Sequence, residues 1–143
     1  MSQIQVKKGP LAGLTVLDCT HVIAGAWCSM ILADLGADVI KIEPPAGEVT
    51  RLTLGNFCAY DFVNRNKRAI AVDLNTPEGA DVLHALAVTA DIWVENYRPV
   101  ALDKLCLGYA DLSAINPSLV YCSVSGFGRD GPYAKRGGLD LVA

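Results

Sequence analysis

The segment from Leu11 to Glu43 restricts the fold of this chain more than any other part of its sequence. It begins with an apolar run typical of a strand, crosses a short loop from Thr20 to Gly25, and continues with apolar residues at helical spacing. Gly36 then ends the predicted helix, and a second short apolar run follows from Asp38 to Glu43. A crossover of this length joins parallel strands, so the segment predicts a β-α-β unit. The apolar residues at helical spacing are Trp27, Met30, Ile31 and Leu35.

The remainder of the chain continues the alternation of strands and helices. Further strands are predicted at residues 68–74, 91–95 and 119–125, and helices at 77–88, 101–107 and 109–115. Gly108 is predicted to end the helix at 101–107. A loop with a short helix is predicted between Thr50 and Asn64. This order, without internal repeats, predicts an α/β fold with a Rossmann-like, doubly wound parallel sheet.

The predicted helix at 77–88 has the best-marked beginning. The segment Asn75 to Glu78 supplies a capping residue, a proline at the first helical position and an acid in the first turn. One apolar stripe should face the core, formed by Val82, Leu83, Leu86 and Ala87.

Composition excludes several classes of protein. The 143 residues are 52% hydrophobic, which predicts a buried core rather than a disordered chain. A net charge of -3 provides no overall field that would attract nucleic acid or an anionic membrane. No apolar run approaches transmembrane length, and since no apolar segment follows the two lysines before Pro10, a secretory leader is not expected. The five cysteines are odd in number and lack C-x-x-C spacing, which indicates reduced, partly buried thiols in a cytoplasmic protein without a metal site.

Ligands of parallel sheets bind beyond the carboxyl ends of the strands, which here means Cys19 to Gly25 and Glu43 to Gly47. The first of these loops reads T-H-V-I-A-G and lacks the glycine fingerprint of dinucleotide-binding sites. No G-x-S-x-G motif of a serine hydrolase occurs either. His84 falls within a helix, whereas His21 follows the first strand and is either a ligand-facing or a structural histidine.

Eight motifs give the chain a specific resemblance. They are PLAGLTVLD with THVIAG, LADLGADVIKIEPPAG, NRNKRAIAVDL, TPEG, ADIWVENYRP, LGYADLSAINPSLVYCSVSGFGRDGP and GGLD. In order and spacing they resemble the class III (CaiB/BaiF) coenzyme A transferases, a group that includes formyl-CoA transferases and the related α-methylacyl-CoA racemases. The resemblance implies a tail at residues 1–9, and at 10–143 the N-terminal part of the large CoA-binding domain of a larger two-domain enzyme.

The resemblance implies coenzyme A as the ligand, as free CoA or an acyl-CoA substrate, lying along the carboxyl edge of the sheet. The implied contact residues are His21, Val22, Ile23, Ala24, Val72, Asp73, Leu74, Asn75, Asn96, Tyr97, Arg98, Lys104, Gly138, Leu139 and Asp140. CoA carries an adenine ring and several phosphates, and Tyr97, Arg98 and Lys104 offer an aromatic surface and cations that suit it.

Other basic residues have weaker claims to the ligand. Lys67 and Arg68 precede the third strand, at the opposite edge of the sheet, and are expected to be solvated or salt-bridged. Four loop cations could reach a phosphate: Arg51, Arg129, Lys135 and Arg136.

Two departures from the family pattern bear on the reaction. Racemases carry a histidine at the position of Leu139, and a leucine cannot accept a proton, so the resemblance favours a transferase. Pro44 stands where some formyl-CoA transferases have an arginine, so the resemblance implies that one adenosine contact is either absent or supplied elsewhere.

The family reaction moves CoA from an acyl-CoA to a small carboxylic acid through a covalent aspartyl intermediate. The motif of that aspartate lies beyond Asp140, so no catalytic residue is assigned within 1–143. The implied partner is a second copy in an interlocked homodimer of the full-length enzyme, or a complementary C-terminal chain. Two alternatives remain, a racemase-like enzyme and a truncated, non-catalytic CoA-binding or interaction module.

Overall fold

The computed structural model describes residues 9–53 and 59–138. Within them lies one sheet of five parallel strands. The strands are β1 (Thr15–Cys19), β2 (Asp38–Glu43), β3 (Arg68–Ala71), β4 (Ile92–Glu95) and β5 (Val120–Ser123). Their order across the sheet is β3-β2-β1-β4-β5, so the chain reverses its direction of winding beside β1. The predicted doubly wound parallel sheet is confirmed.

The helices connect the strands as the alternation predicted. They are α1 (Ala24–Asp34), α2 (Val49–Thr53), α3 (Ala59–Asn64), α4 (Pro77–Ala87) and α5 (Tyr109–Ile115), with a 3-10 turn at Asp103–Leu105. Thr76 caps α4 by accepting a hydrogen bond from the Gly79 N–H, as expected of a residue just before Pro77. Gly36 follows α1 with a φ of 100°, in the left-handed region that glycine adopts without strain. No helix among the described residues is long and apolar enough to cross a membrane.

Two apolar cores cover the two faces of the sheet. The larger includes Leu17 and Trp93 from the strands and Leu83 and Leu112 from α4 and α5, all fully buried. The smaller includes Val16 and packs against α1. The consecutive residues Val16 and Leu17 of β1 thus face opposite sides of the sheet, as expected of a strand that is buried on both faces.

The buried face of α1 is not the one that carries most of its large apolar residues. Trp27, Ile31 and Leu35 are 43%, 44% and 39% exposed, and only Met30 of the predicted apolar set is buried. The face toward the sheet consists mainly of small residues: Gly25, Ala26, Ser29 and Ala33. Helical spacing alone predicted the helix correctly but not its orientation, because small residues allow the backbone of α1 to approach the sheet.

Several local predictions are corrected. The segment 101–107 contains only the short 3-10 turn, which Cys106 ends in a left-handed conformation, and Gly108 instead precedes α5. The strand predicted at 68–74 ends at Ala71. Val82 is 41% exposed and lies outside the stripe formed by Leu83 and Ala87.

The predictions for the cysteines are confirmed in part. Cys19, Cys28, Cys106 and Cys122 are free thiols, as predicted. Cys19 is buried and Cys28 and Cys122 are half-buried, but Cys106 is exposed. Cys58 lies outside the described residues.

Candidate functional site

A cleft of about 600 Å³ opens at the carboxyl edge of the sheet. Its walls come from the residues that follow β1, β2, β3 and β4, which is where a parallel sheet presents a ligand site. The lining residues are His21, Ile42, Glu43, Pro44, Val72, Asp73, Leu74, Asn75, Tyr97, Ala101, Leu102, Lys104 and Leu105.

Seven of the predicted contact residues line this cleft together. They are His21, Val72, Asp73, Leu74, Asn75, Tyr97 and Lys104. Val22, Ile23, Ala24, Asn96, Arg98 and Gly138 are described by the structure but do not line it. Leu139 and Asp140 fall outside the described residues.

The wall at the end of β1 is built on His21. Its imidazole packs edge-on against the Tyr97 ring, with 4.9 Å between the ring centroids. The Asn96 side chain accepts a hydrogen bond from the His21 N–H at 2.8 Å and donates one to the His21 carbonyl at 2.7 Å. The loops after β1 and β4, which flank the reversal in winding, are therefore joined to each other.

The wall at the end of β3 is a tight turn into α4. The Asp73 carboxylate accepts hydrogen bonds from the Asn75 backbone and side-chain amides, both at 2.9 Å. The Thr76 hydroxyl donates to the Asp73 carbonyl at 2.8 Å. A Cβ on Gly79 would overlap that carbonyl oxygen, so the first turn of α4 packs directly against the cleft wall.

The side chains of two basic residues at this edge make no hydrogen bond or ion pair to the described part of the chain. Lys104 is exposed and lines the cleft. Arg98 is exposed and lies beside Gly137, whose Cβ, if present, would be 3.4 Å from the Arg98 Nη2. The backbone next to Gly137 is also close-packed, since a Cβ on Gly126 would lie 2.7 Å from the Gly138 Cα. Both cations are therefore available to a phosphate.

Three of the four remaining loop cations have partners within the protein, and the fourth, Lys135, is exposed. Arg51 pairs with Glu43, and Arg129 pairs with Glu95 at 3.1 Å and with Asp103 at 3.5 Å. The Arg136 guanidinium lies over the Tyr133 ring at 5.1 Å. Among the residues with described positions, no cluster of three or more His, Cys, Asp or Glu side chains could hold a metal ion.

Glu43 is a buried carboxylate in the cleft wall. Arg51 binds it with two hydrogen bonds, of 2.8 and 3.0 Å, and the Tyr60 hydroxyl also donates to it. Burial raises the pKa of Glu43, but the bonds from Arg51, Tyr60 and the Glu48 N–H outweigh it and lower the pKa to about 2. Glu43 is thus ionised and already neutralised by Arg51, so it does not repel an anion in the cleft.

This network predicts a loss of stability in acid. Because the Glu43 pKa is lowered in the folded state, its contribution is complete above the unfolded value of 4.5 and is lost as pH falls toward 2. Glu43→Gln should therefore lose roughly 1–2 kcal/mol less stability than the wild type over that interval. Urea unfolding at a series of pH values measures this, with Glu78→Gln, on the exposed first turn of α4, as the control. Parallel curves for wild type and Glu43→Gln would contradict the assignment.

Beneath the loop after β1 lies a second buried network. The Asp18 carboxylate is fully buried, accepts a hydrogen bond from Lys67 Nζ at 2.8 Å, and lies 3.9 Å from Lys41 Nζ. Lys41 Nζ also donates to the Thr20 carbonyl at 2.9 Å, and the Ser29 hydroxyl donates to Asp18 at 2.7 Å. The predicted salt-bridged role of Lys67 is confirmed. The next residue, Arg68, forms an ion pair with Asp38 at the surface, also as predicted.

Six lining residues were absent from the predicted contact set. Glu43 ends β2 and Pro44 follows it, within the stretch that the strand-end rule indicated, and Ile42 immediately precedes them. Ala101, Leu102 and Leu105 come from the segment after β4. Their spacing marked them only as apolar, and nothing in that pattern distinguishes a cleft wall from a core.

Fold and site together define a class of protein, an α/β domain with a cleft at the switch point of a parallel sheet and the exposed cation of Lys104 in its wall. The chain belongs to CoA-transferase family III, whose sequence model matches residues 11–143.

Named relatives and solved structures agree with this membership. Over 140 residues the chain is 45% identical to a human succinyl-CoA:glutarate CoA-transferase, covering 94% of the chain and 32% of that enzyme. It is 42% identical to an acetyl-CoA:oxalate CoA-transferase of Acetobacter aceti, covering 94% of the chain and 36% of that enzyme. A CAIB/BAIF family protein from Brucella suis superposes with a TM-score of 0.88 at 43% identity, covering 95% of the chain and 38% of the other. The chain therefore spans about a third of the length of these relatives.

Proposed function

We propose that the cleft binds the CoA moiety of an acyl-CoA, and that this chain is the N-terminal CoA-binding portion of a class III CoA transferase. The observation that carries the proposal is the pair of unpaired cations, Arg98 and Lys104, beside a cleft with aromatic and apolar walls. Pyrophosphate and the 3′-phosphate need cations, whereas adenine and the pantetheine arm need apolar surface. Family membership supports the same ligand.

In the proposed reaction the complete enzyme moves CoA from an acyl-CoA to a small carboxylic acid. An aspartate carboxylate attacks the thioester carbonyl, forms a mixed anhydride and releases the CoA thiolate. The thiolate then attacks the aspartyl carbonyl, forms an aspartyl thioester and releases the donor acid. The acceptor acid repeats these two steps in reverse and leaves as its CoA ester. We place the aspartate beyond this chain, so that residues 1–143 contribute binding and orientation of CoA.

The proposal extends to the cell and to assembly. We propose a cytoplasmic enzyme whose full-length form is an interlocked homodimer, or in which a complementary C-terminal chain completes the fold. Acids are the proposed second substrates because the names of two relatives specify glutarate and oxalate.

The test of the binding site compares two arginines at opposite edges of the sheet. Arg98→Ala should weaken CoA binding roughly tenfold, the value of one charge-assisted hydrogen bond. Arg68→Ala removes an exposed arginine at the amino edge, where Arg68 pairs with Asp38, and should leave CoA affinity unchanged. Titration calorimetry with CoA, dephospho-CoA and phosphopantetheine measures both effects and assigns Arg98 to a particular phosphate.

Three outcomes separate the proposal from its alternatives. CoA binding without exchange of CoA between a CoA ester and carboxylic acids is expected of residues 1–143. Absence of CoA binding in a folded protein would overturn the proposal and leave an interaction module. Exchange of the α-proton of a 2-methylacyl-CoA by the complete enzyme, without CoA transfer, would identify a racemase instead.

A further inference from the structure

The loop after β1 contains an unusual backbone conformation at Val22. Its φ is 61°, in the left-handed region, whereas a β-branched side chain strongly disfavours such values. Conformations of this kind are retained only where the surrounding structure holds them, and they cluster at ligand sites. The preceding residue, His21, lines the cleft.

Two side chains from other parts of the chain hold this segment. The Val22 N–H donates to the Glu48 carboxylate at 2.9 Å. The Asn96 side chain occupies both the N–H and the carbonyl of His21. These three bonds span 26 and 75 residues of sequence, so the loop is held by the segments that follow β2 and β4.

Glu48 is itself fixed and nearly inaccessible. Its side chain is 1% exposed, and its second carboxylate oxygen accepts hydrogen bonds from the Thr50 N–H, at 3.0 Å, and the Thr50 hydroxyl. Its own N–H donates to Glu43 at 3.3 Å. A buried carboxylate that accepts from this many donors is held in one position, and can therefore offset the cost of the Val22 conformation.

We propose that Glu48 and Asn96 are positioning residues that hold His21 and Val22 in the left-handed turn, and that this turn sets the His21 imidazole against Tyr97 in the cleft wall. The consequence for CoA affinity rests on the proposed function. The consequence for the conformation of the loop does not. Asn96 thereby acts through the His21 backbone, because both polar ends of its side chain are already occupied.

A rescue experiment tests the role of Glu48. Glu48→Ala removes the acceptor for the Val22 N–H, so the backbone at Val22 should relax to a negative φ. CoA affinity should then fall roughly tenfold, because the strained conformation of Val22 is no longer offset. Glycine adopts positive φ without cost, so adding Val22→Gly should restore affinity to within about threefold of Val22→Gly alone. Asp81→Asn removes an exposed carboxylate on α4 and should change nothing.

The conformation of the loop is measured separately, without CoA, as the nuclear Overhauser contact between the His21 and Tyr97 rings. The contact should weaken in Glu48→Ala and return in the double variant. A wild type that shows the contact but binds no CoA would contradict the proposed function only. A folded Glu48→Ala variant with an intact contact would overturn the positioning role. If Glu48→Ala does not fold, the double variant should fold, and its failure to do so would equally overturn the proposal.

The titration of His21 provides a readout that a purely architectural role would not move. Burial lowers the pKa of His21, Glu48 raises it from a distance of 4.0 Å between Nδ1 and Oε1, Lys41 lowers it and Asp18 raises it. Glu48→Gln keeps an acceptor for Val22 but removes the charge. It should preserve the ring contact and lower the His21 pKa further, as followed by the imidazole proton shifts. An unchanged pKa would show that Glu48 does not act on His21.

Discussion

Replacing Asp18 with asparagine should destabilise the protein by roughly 3–5 kcal/mol, the usual cost of breaking a buried ion pair. The reason is the shortage of negative charge beneath the loop after β1, where Lys41 and Lys67, both 1% exposed, share the single carboxylate of Asp18. An asparagine could still accept one hydrogen bond but would leave two buried ammonium groups without a counter-charge. Urea unfolding at neutral pH measures the loss.

The pH dependence of Asp18→Asn distinguishes charge from packing. Burial lowers the pKa of Lys67, and Asp18 raises it, so without Asp18 the lysine should lose its proton more readily. The stability deficit of the variant should therefore shrink as pH approaches the ordinary lysine value of about 10.4. Asp34→Asn breaks the surface pair with Arg65 and serves as the matched control, with little change expected. A pH-independent deficit would assign the loss to packing alone.

The second large effect is expected from Gly79→Ala. Alanine normally stabilises a helix relative to glycine by up to about 1 kcal/mol. Here the added Cβ would overlap the Asp73 carbonyl and lie 3.1 Å from the Thr76 hydroxyl, and a backbone carbonyl cannot move away as a flexible side chain can. The steric effect should dominate and cost roughly 3 kcal/mol, at the upper end for overpacked sites.

Gly137→Ala is the matched control for Gly79→Ala. Its Cβ would meet only the flexible Arg98 side chain, at 3.4 Å, so thermal stability should hardly change. Because Asp73 and Asn75 line the cleft, the Gly79 variant should also bind CoA more weakly than its stability loss alone would require. A Gly79→Ala variant as stable as the wild type would show that α4 can shift away from the turn.

The parallel sheet could be predicted because its information is local. Gly36, the cap at Thr76 and short apolar runs separated by helices each specify their own segment, and all of them agree with the structure. The strand-end rule then placed His21 and Glu43 at the ligand edge without knowledge of any contact. Seven members of the contact set inferred from the family resemblance line one cleft.

What could not be predicted depends on distant partners. The buried position of Lys67 requires Asp18, 49 residues earlier, and a charged residue before a strand is more often solvated. Hydrophobicity suggests that Trp27 is buried in preference to Ala26, but Trp27 is exposed and Ala26 is buried. The close approach of α1 to the sheet decides which residues of the helix are buried. The conformation of Val22 has no sequence signal, because valine is among the residues least suited to it.

The order of the strands also has a consequence for synthesis on the ribosome. The first β-α-β unit is complete once Glu43 has emerged, but the other side of β1 pairs with β4, where Val16 lies opposite Ile92. At 5–20 residues per second, roughly 3–10 s separate the emergence of Glu43, which completes β2, from that of Glu95, which completes β4. During that interval the central strand of the sheet is an open edge. Until residue 67 has emerged, Lys41 can be buried only beside an Asp18 that lacks its hydrogen bond from Lys67. Translation speed across residues 44–95 should therefore control how much nascent chain is captured by chaperones before the sheet closes.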